Sequence, residues 1–247
     1  MSLKIGVNLS TNYSINFSYP KRPKKKIKYI IIHYTGMKKE ADSIKRLSGE
    51  NSKVSSHYFI KNNGDILNLV PDLYKAWHAG KSNWKNLRSL NEHSLGIEIQ
   101  NPGHNYGYKK FSSKQILSLK KLLSFLLKKY DIKYQNVLGH SDIAPGRKKD
   151  PGEKFPWKKL AKNKLCFWHN LKDSQIKKYR KQYLNSYEEK FFIKNLNKIG
   201  YAHIKSLSAL NSKKLLIEAF QRRFRQDLIN GKSDKECLLI SNSLLIR

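Results

Sequence analysis

Short apolar runs of strand length occur only in the first part of the chain, and this constrains the fold most. They cover residues 27–34, 58–60, 66–70, 95–99 and 136–138. The polar stretch 61–65, which contains Gly64, separates the second run from the third and is typical of a hairpin loop. The pattern predicts a β-sheet within roughly the first 140 residues.

A helical repeat follows the fourth run. Leucine and isoleucine recur at helical spacing from Ile116 to Leu127, and Ser112 stands three residues before Gln115. A serine and a glutamine at this spacing form a capping box at the start of a helix. Strands and helices therefore alternate, which predicts an α/β domain.

The remainder of the chain shows no strand pattern. Residues 161–182 are basic and poorly periodic, which predicts a linker with some helix. Beyond it, apolar residues mark three helices: one ended by Gly200, one that carries Leu216, Phe220, Phe224 and Leu228, and one over 233–245. We therefore divide the chain into an extension (1–26), an α/β domain (27–160), a linker (161–182) and a small all-α bundle (183–247).

Composition excludes some classes of protein. The 247 residues include 50 Lys+Arg against 18 Asp+Glu, a formal charge of +32, yet 39% are hydrophobic and 11% aromatic. A disordered polyelectrolyte is therefore excluded. The charge suits an anionic partner, either nucleic acid or an anionic polymer such as cell wall. No nucleic-acid recognition motif accompanies it, so we expect no specific nucleic-acid partner.

We expect neither a membrane span nor a signal peptide in this sequence. No stretch of about 18 apolar residues predicts a membrane span, and the first residues lack the apolar core of roughly 7–15 residues that a signal peptide needs. The basic stretch 21–26 is expected to be an exposed turn. Cys166 and Cys237 allow at most one disulfide. We expect a cytoplasmic monomer by default, with export to the cell envelope by another route as an alternative.

Four segments of the α/β domain carry residues suited to catalysis. His33 and His140 each end an apolar strand, Glu98 interrupts another, and a Pro/Gly-rich loop holds Lys148 and Asp150. Each residue alone is more often structural. Together, two histidines and a carboxylate match the three protein ligands of catalytic zinc. A buried glutamate would then serve as general base and a lysine would stabilise negative charge.

Blocks around these residues resemble a known family. In order, they are IIHYTG, SSHYFIKNNGDILNLV, AWHAGKSNW, SLGIEIQNPG and GHSDIAPGRKKDPGEKFPW. They resemble the zinc-dependent N-acetylmuramoyl-L-alanine amidases of type 2, whose fold is shared by peptidoglycan recognition proteins. The resemblance covers residues 28–157 and implies a mixed central β-sheet flanked by helices.

The resemblance also implies a mechanism. It makes His33, His140 and Asp150 the ligands of one Zn²⁺, and Glu98 and Lys148 the catalytic residues. The implied reaction is hydrolysis of the amide bond between N-acetylmuramic acid and L-alanine. The implied substrates are peptidoglycan or muropeptides, including anhydro-muropeptides.

Further residues of the matching blocks are expected at the substrate groove: Tyr34, Trp77, His78, Ala79 and Asn101. His57 is expected to be structural or to support a ligand, Asp142 to be a turn residue, and Arg147 to be an exposed neighbour of Lys148. No role is assigned to four other histidines, His93, His104, His169 and His203.

The tail resembles a second family less closely. Gly200-Tyr201 followed by AFQRRF is similar to the helical peptidoglycan-binding module. Two alternatives stay open: Arg222, Arg223 and Arg225 form a solvated helix face, or the helices only pack on the α/β domain. For the whole chain, the alternatives are a non-catalytic wall-recognition protein that uses the same groove and, less favoured, a basic nucleic-acid-binding protein.

Overall fold

A computed structural model describes residues 7–8, 13–202 and 208–246. His203 and most of the first twelve residues lie outside this range. Of residues 7–8 only the backbone is described. Among the described residues, no helix combines the length and apolar character needed to cross a bilayer.

The central sheet is mixed, as predicted, and has six strands where the sequence predicted five. The strands are β1 (Val7–Asn8), β3 (Tyr29–Tyr34), β4 (Tyr58–Ile60), β5 (Ile66–Asn68), β9 (Ser94–Ile99) and β10 (Val137–Gly139). Their spatial order is β1-β5-β4-β9-β3-β10, and every neighbouring pair is parallel except the antiparallel pair β4 and β5. Two short ribbons pair β2 (Phe17–Ser18) with β6 (Lys75–Ala76) and β7 (Asn83–Trp84) with β8 (Leu87–Arg88).

All five predicted strands are confirmed to within two residues, and the stretch 61–65 forms the predicted hairpin loop. The two-residue strands were not predicted, because they are too short to show a hydrophobic period.

Eight α-helices lie in the described residues. They are α1 (Glu40–Ser48), α2 (Ser113–Tyr130), α3 (His140–Ile143), α4 (Trp157–Ala161), α5 (Asp173–Ile176), α6 (Ser186–Ile199), α7 (Ala209–Phe224) and α8 (Lys235–Leu245). The predicted capping box of α2 is present: Gln115 N–H donates to Ser112 Oγ at 3.2 Å, and Ser112 N–H donates to Gln115 Oε1 at 3.0 Å. Helix α1 was not predicted.

The sheet lies between the two largest hydrophobic clusters. Side chains alternate between the faces of a strand, so Ile30 and Ile32 of β3 join the cluster under α2, while Tyr29 and Ile31 join the cluster under α6, α7 and α8. The C-terminal helices therefore share a core with the back of the sheet. The domain boundaries at residues 160 and 182 stay a prediction.

Glycine at position 200 permits a close approach between these two parts. Gly200 follows α6 with φ +141°, and a Cβ there would lie 2.4 Å from the Trp84 ring. Any side chain would therefore push the end of α6 away from the α/β domain.

One sequence expectation about arginines is wrong, and one alternative left open for the tail is excluded. Arg22, expected in an exposed turn, is buried and donates to the carbonyls of Asn91 and Asp72 at 2.7 and 3.0 Å. Arg222, Arg223 and Arg225 are also buried, so they form no solvated helix face. Because buried guanidinium groups need acceptors, the burial of Arg22 and Arg223 reflects partners that lie far away in the sequence.

The buried carboxylate of Asp72 links β4 to α2 through hydrogen bonds. Asp72 accepts hydrogen bonds from Tyr58 Oη and Tyr130 Oη, each at 2.6 Å, and from Lys129 Nζ at 2.8 Å. Burial alone would raise the pKa of Asp72, but these three hydrogen bonds hold it below its usual value. The ionised form is thus the one that the fold stabilises.

We expect Asp72→Asn to lower the free energy of unfolding by about 1–3 kcal/mol, because three donors lose a charged acceptor. The contribution of Asp72 is present above the unfolded pKa of about 4 and is lost as pH falls through the lower folded pKa. Urea unfolding at several pH values measures both effects. The exposed Asp65→Asn is the control; equal stability of the two variants at pH 7 would contradict the prediction.

Candidate metal centre

Parallel pairing of β3 with β10 brings the two strand-end histidines together. Gly139 pairs with Ile32, so His140 and His33, each one residue further along, emerge side by side at the carboxyl edge of the sheet. Asp150 lies in the loop after α3, and its backbone carbonyl accepts a hydrogen bond from Ser141 N–H at 2.8 Å. This bond fixes the loop beside His140.

The three side chains converge closely. His33 Nδ1 lies 2.9 Å from His140 Nδ1, and each of these nitrogens lies 3.0 Å from Asp150 Oδ2. All three residues are buried, and together they form a group that could hold a metal ion. The three residues that the family resemblance implies as ligands of one ion therefore lie together in the structure.

The outer nitrogens show which atoms face the centre of this group. His140 Nε2 donates to the Ala79 carbonyl at 3.1 Å, which leaves Nδ1 with a free lone pair. Ser94 Oγ donates to the Leu90 carbonyl at 2.6 Å, so it accepts from His78 Nε2 at 3.3 Å. His78 Nδ1 then accepts from His33 Nε2 at 3.1 Å, which leaves His33 Nδ1 with a lone pair. Two imidazole lone pairs and a carboxylate oxygen that face one another repel unless a cation lies between them. The donor set therefore fits a bound metal.

Electrostatics keep the donors in the state that metal binding requires. Burial, reinforced by the neighbouring His140, lowers the pKa of His33 to about 4, so its imidazole is neutral at pH 7. Burial alone would raise the pKa of Asp150, but His140 and His33 hold it well below its usual value. Neutral imidazole and ionised carboxylate are the ligating forms.

Two residues expected at the substrate groove contact the proposed ligands from behind, and one of them, His78, also lines the cleft. His78 and Ala79 contact the outer nitrogens of His33 and His140, and their own backbone N–H groups donate to Asn91 Oδ1 at 3.2 and 2.7 Å. The Ala79 side chain is fully buried.

The glycine at position 96 makes room for His78. A Cβ at Gly96 would lie 2.5 Å from the His78 ring. His57 is buried on the far side of this ring and accepts a hydrogen bond from Gly96 N–H at 2.9 Å, so it lies behind the centre and is not one of the converging donors.

Glu98 opens onto the same cleft. It lies on β9 directly opposite His33 of β3, and its Oε2 atom is buried with no hydrogen-bond partner among the described residues. Burial raises the pKa of Glu98 to about 8; the charge of Asp150 adds to this shift and Lys148 opposes it. A carboxyl group with such a pKa can both accept and release a proton near neutral pH.

Basic and aromatic residues line the rest of the cleft. Lys148, Tyr34 and Trp77 contribute to its walls. Arg147 is exposed, as expected, and its Nη2 donates to the Ala79 carbonyl at 2.7 Å. Tyr34 and Trp77 thus lie at the cleft, and their contact with substrate stays a prediction.

Asn101 does not lie on the cleft surface. Its side chain is buried, with Nδ2 donating to the Lys109 carbonyl at 2.8 Å and Oδ1 accepting from Gly103 N–H at 3.1 Å. Both polar ends of the amide are occupied by the loop after β9. Asn101 therefore shapes this loop and does not reach the groove.

The sequence assigned no role to His104, yet it lines the cleft. His104 Nδ1 lies 2.8 Å from Tyr34 Oη, and Nε2 lies 3.1 Å from Glu153 Oε2. Glu153 stands three residues after Asp150, so the same loop supplies a metal-site residue and the carboxylate that orients His104. His104 directly follows the NPG stretch, and nothing in this local sequence predicts these contacts.

Comparisons with known proteins agree with this geometry. Residues 23–153 match the family Amidase_2, N-acetylmuramoyl-L-alanine amidase. The N-acetylmuramoyl-L-alanine amidase AmiD of Escherichia coli (strain K12) is 33% identical over 254 residues, which cover 98% of this chain and 89% of that protein. The 1,6-anhydro-N-acetylmuramyl-L-alanine amidase AmpD of Haemophilus influenzae is 36% identical over 108 residues, 43% of this chain and 56% of that protein.

Two solved structures are similar over almost the whole chain. One is the Escherichia coli AmiD complex with anhydro-N-acetylmuramic acid-L-Ala-D-γ-Glu-L-Lys, with a TM-score of 0.79, 32% identity and coverage of 93% of this chain and 91% of that one. The other is Pseudomonas aeruginosa AmpDh3 with anhydromuramic pentapeptide, with a TM-score of 0.77, 30% identity and coverage of 99% and 96%. The similarity therefore includes the C-terminal helices.

We expect His78→Ala to weaken binding of a divalent metal ion by about 10–100-fold, because His33 loses the partner that orients its ring. Competition with a chromogenic chelator measures the dissociation constant. His104→Ala is the control, since His104 lines the same cleft without touching a ligand. Equal metal affinity in the two variants would contradict the role of His78.

Proposed function

The chain belongs to the N-acetylmuramoyl-L-alanine amidase family, and on this basis we propose how its own residues carry out the reaction. It hydrolyses the amide bond between N-acetylmuramic acid and L-alanine in muropeptides. The observation that carries the mechanism is the convergence of His33, His140 and Asp150, within 3.0 Å of one another, beside Glu98 and Lys148 in one cleft.

We propose that His33, His140 and Asp150 hold one Zn²⁺. Two imidazole nitrogens and one carboxylate oxygen leave a position open, which is typical of catalytic rather than structural zinc. When bound, the zinc ion supplies Lewis acidity, which activates water and polarises a carbonyl group.

Glu98 is proposed to move the proton. Its raised pKa and its open side towards the cleft allow it to take a proton from the attacking water and pass it to the leaving amine of L-alanine. Lys148 is proposed to stabilise the negative charge that develops on the carbonyl oxygen, since its side chain lines the same cleft.

We propose that anhydro-muropeptides are substrates of this chain. Two similar proteins, Escherichia coli AmiD and Pseudomonas aeruginosa AmpDh3, were solved with anhydromuramic peptides. The cleft here offers Tyr34 and Trp77 as apolar and stacking surfaces for such a ligand.

Wall binding by the C-terminal helices also stays a proposal, and the structure limits which residues can take part. The AFQRRF arginines are buried. Tyr187 and Phe191, one turn apart on α6, are exposed beside the exposed Lys190. Aromatic and basic side chains on one helix face suit a sugar polymer that carries negative charge.

The experiment that tests the catalytic assignment compares two variants. We expect Glu98→Gln to retain zinc and to lose about 10²–10⁴-fold in turnover, because only the proton transfer is removed. His33→Ala should lose both zinc and turnover. Metal analysis and mass spectrometry of a muropeptide after incubation give the two readouts.

Each outcome separates the candidate functions. If the wild type releases the stem peptide and Glu98→Gln is equally active, Glu98 is not the general base. Zinc-loaded wild type that binds muropeptide without cutting it would favour the non-catalytic recognition protein.

We expect binding to sacculi to weaken markedly between about 10 and 150 mM salt, because the Debye length falls from about 30 to 8 Å and the net charge of +32 draws the chain to an anionic polymer. Co-sedimentation with sacculi, with an uncharged polysaccharide as control, measures it. Binding that does not change with salt would contradict the electrostatic account.

A further inference from the structure

Arg223 connects α7 with the part of the α/β domain that carries His140. It belongs to the AFQRRF stretch, yet its side chain is only 2% exposed. Its Nη1 lies 2.5 Å from Asp142 Oδ2, and Asp142 stands two residues after His140 in α3. Arg223 and Asp142 are separated by 81 residues in the sequence.

The carboxylate of Asp142 holds the turn that leads into His140. Asp142 Oδ2 also accepts a hydrogen bond from Gly139 N–H at 2.7 Å, and Oδ1 accepts one from Tyr201 Oη at 2.7 Å. Gly139 is the last residue of β10 and the residue directly before His140. The Arg223–Asp142 pair therefore holds the backbone from which the His140 side chain extends.

Arg223 makes two more contacts, with residues that flank the proposed metal ligands in the sequence. Its Nη2 donates to the carbonyl of Val137 at 3.0 Å, at the start of β10. Its guanidinium lies 4.1 Å from the centre of the Trp157 ring, which belongs to the chain that follows Asp150. The Arg223 side chain thus contacts both the strand that precedes His140 and the segment that follows Asp150.

The position of β10 explains why such a support matters. Among the strands that the structure describes, β10 lies at the edge of the sheet and pairs with β3 alone, and His140 follows its last residue. The packing there is tight, because a Cβ at Gly139 would lie 2.8 Å from Pro151 and 3.2 Å from Trp157. A small shift of this turn would move His140 relative to both His33 and Asp150.

We propose that Arg223 is a positioning residue for the metal centre: through Asp142 and Gly139 it fixes His140, so that metal affinity depends on a C-terminal helix. The inference rests on the proposed metal-binding role of His140. It gives the C-terminal helices a function within the catalytic site, in addition to any contact with the cell wall.

The chain provides a matched control for this proposal. Arg225, two residues further on, forms an equally buried pair: its Nη1 lies 2.5 Å from Asp234 Oδ2, and the two side chains are 1% and 0% exposed. Asp234 caps α8, so this pair lies wholly within the C-terminal region. Loss of either arginine leaves a buried aspartate without its partner, but only Arg223 contacts the turn before His140.

The test compares Zn²⁺ affinity in Arg223→Met and Arg225→Met, measured on metal-free protein by competition with a chelator. We expect Arg223→Met to raise the dissociation constant by about 10–100-fold, as loss of a supporting residue does at other metal sites. Arg225→Met should leave it unchanged. Equal affinity in Arg223→Met and wild type, or equal losses in both variants, would overturn the proposal.

Two milder variants keep the test decisive if Arg223→Met does not fold. Tyr201→Phe removes only one hydrogen bond to Asp142, and Arg223→Lys retains the charge without the contact to Val137. Both should weaken Zn²⁺ binding in folded protein, as verified by circular dichroism; unchanged affinity in both would contradict the role of Arg223.

Failure of this inference is distinct from failure of the proposed function. If the wild type itself binds no Zn²⁺, the metal assignment of His33, His140 and Asp150 fails. If the wild type binds Zn²⁺ and the Arg223 variants bind it equally well, only the positioning role fails.

Discussion

The pairing of β3 with β10 is the interaction on which the site depends. The parallel register places Ile32 beside Gly139, so two histidines that are 107 residues apart in sequence leave the sheet at one edge. A shift of one residue would turn one of them to the opposite face of the sheet, because side chains alternate along a strand. Strand register, more than any single side chain, therefore brings together the residues of the proposed metal centre.

Successive layers of contacts hold the two histidines in place. His78 and Ala79 contact their outer nitrogens, and Asn91 holds the backbone of those two residues. Arg223 reaches the same centre from the C-terminal helices through Asp142. The buried polar groups outside the ligand set thus serve mainly to fix positions, which is the usual requirement for a reactive metal site.

Local patterns predicted part of this architecture well. The apolar strand runs, the capping box of α2 and the chemistry of the ligand residues all follow from short stretches of sequence. Burial of Arg22 and Arg223 and the contact of His104 with Tyr34 could not be predicted, because each depends on a partner that the fold brings from far away in the sequence. The inward amide of Asn101 depends on the conformation of its own loop, which shows no periodic pattern. Sequence shows which groups are present, but their partners depend on register and packing.

The most direct test of the account is a zinc titration of the chelated protein with a defined anhydro-muropeptide as substrate. If His33, His140 and Asp150 form one catalytic metal site, release of the stem peptide should rise linearly with added Zn²⁺ and reach a plateau at one ion per chain. Full activity of the metal-free protein, or a chain that binds one zinc ion and releases no stem peptide, would contradict the account.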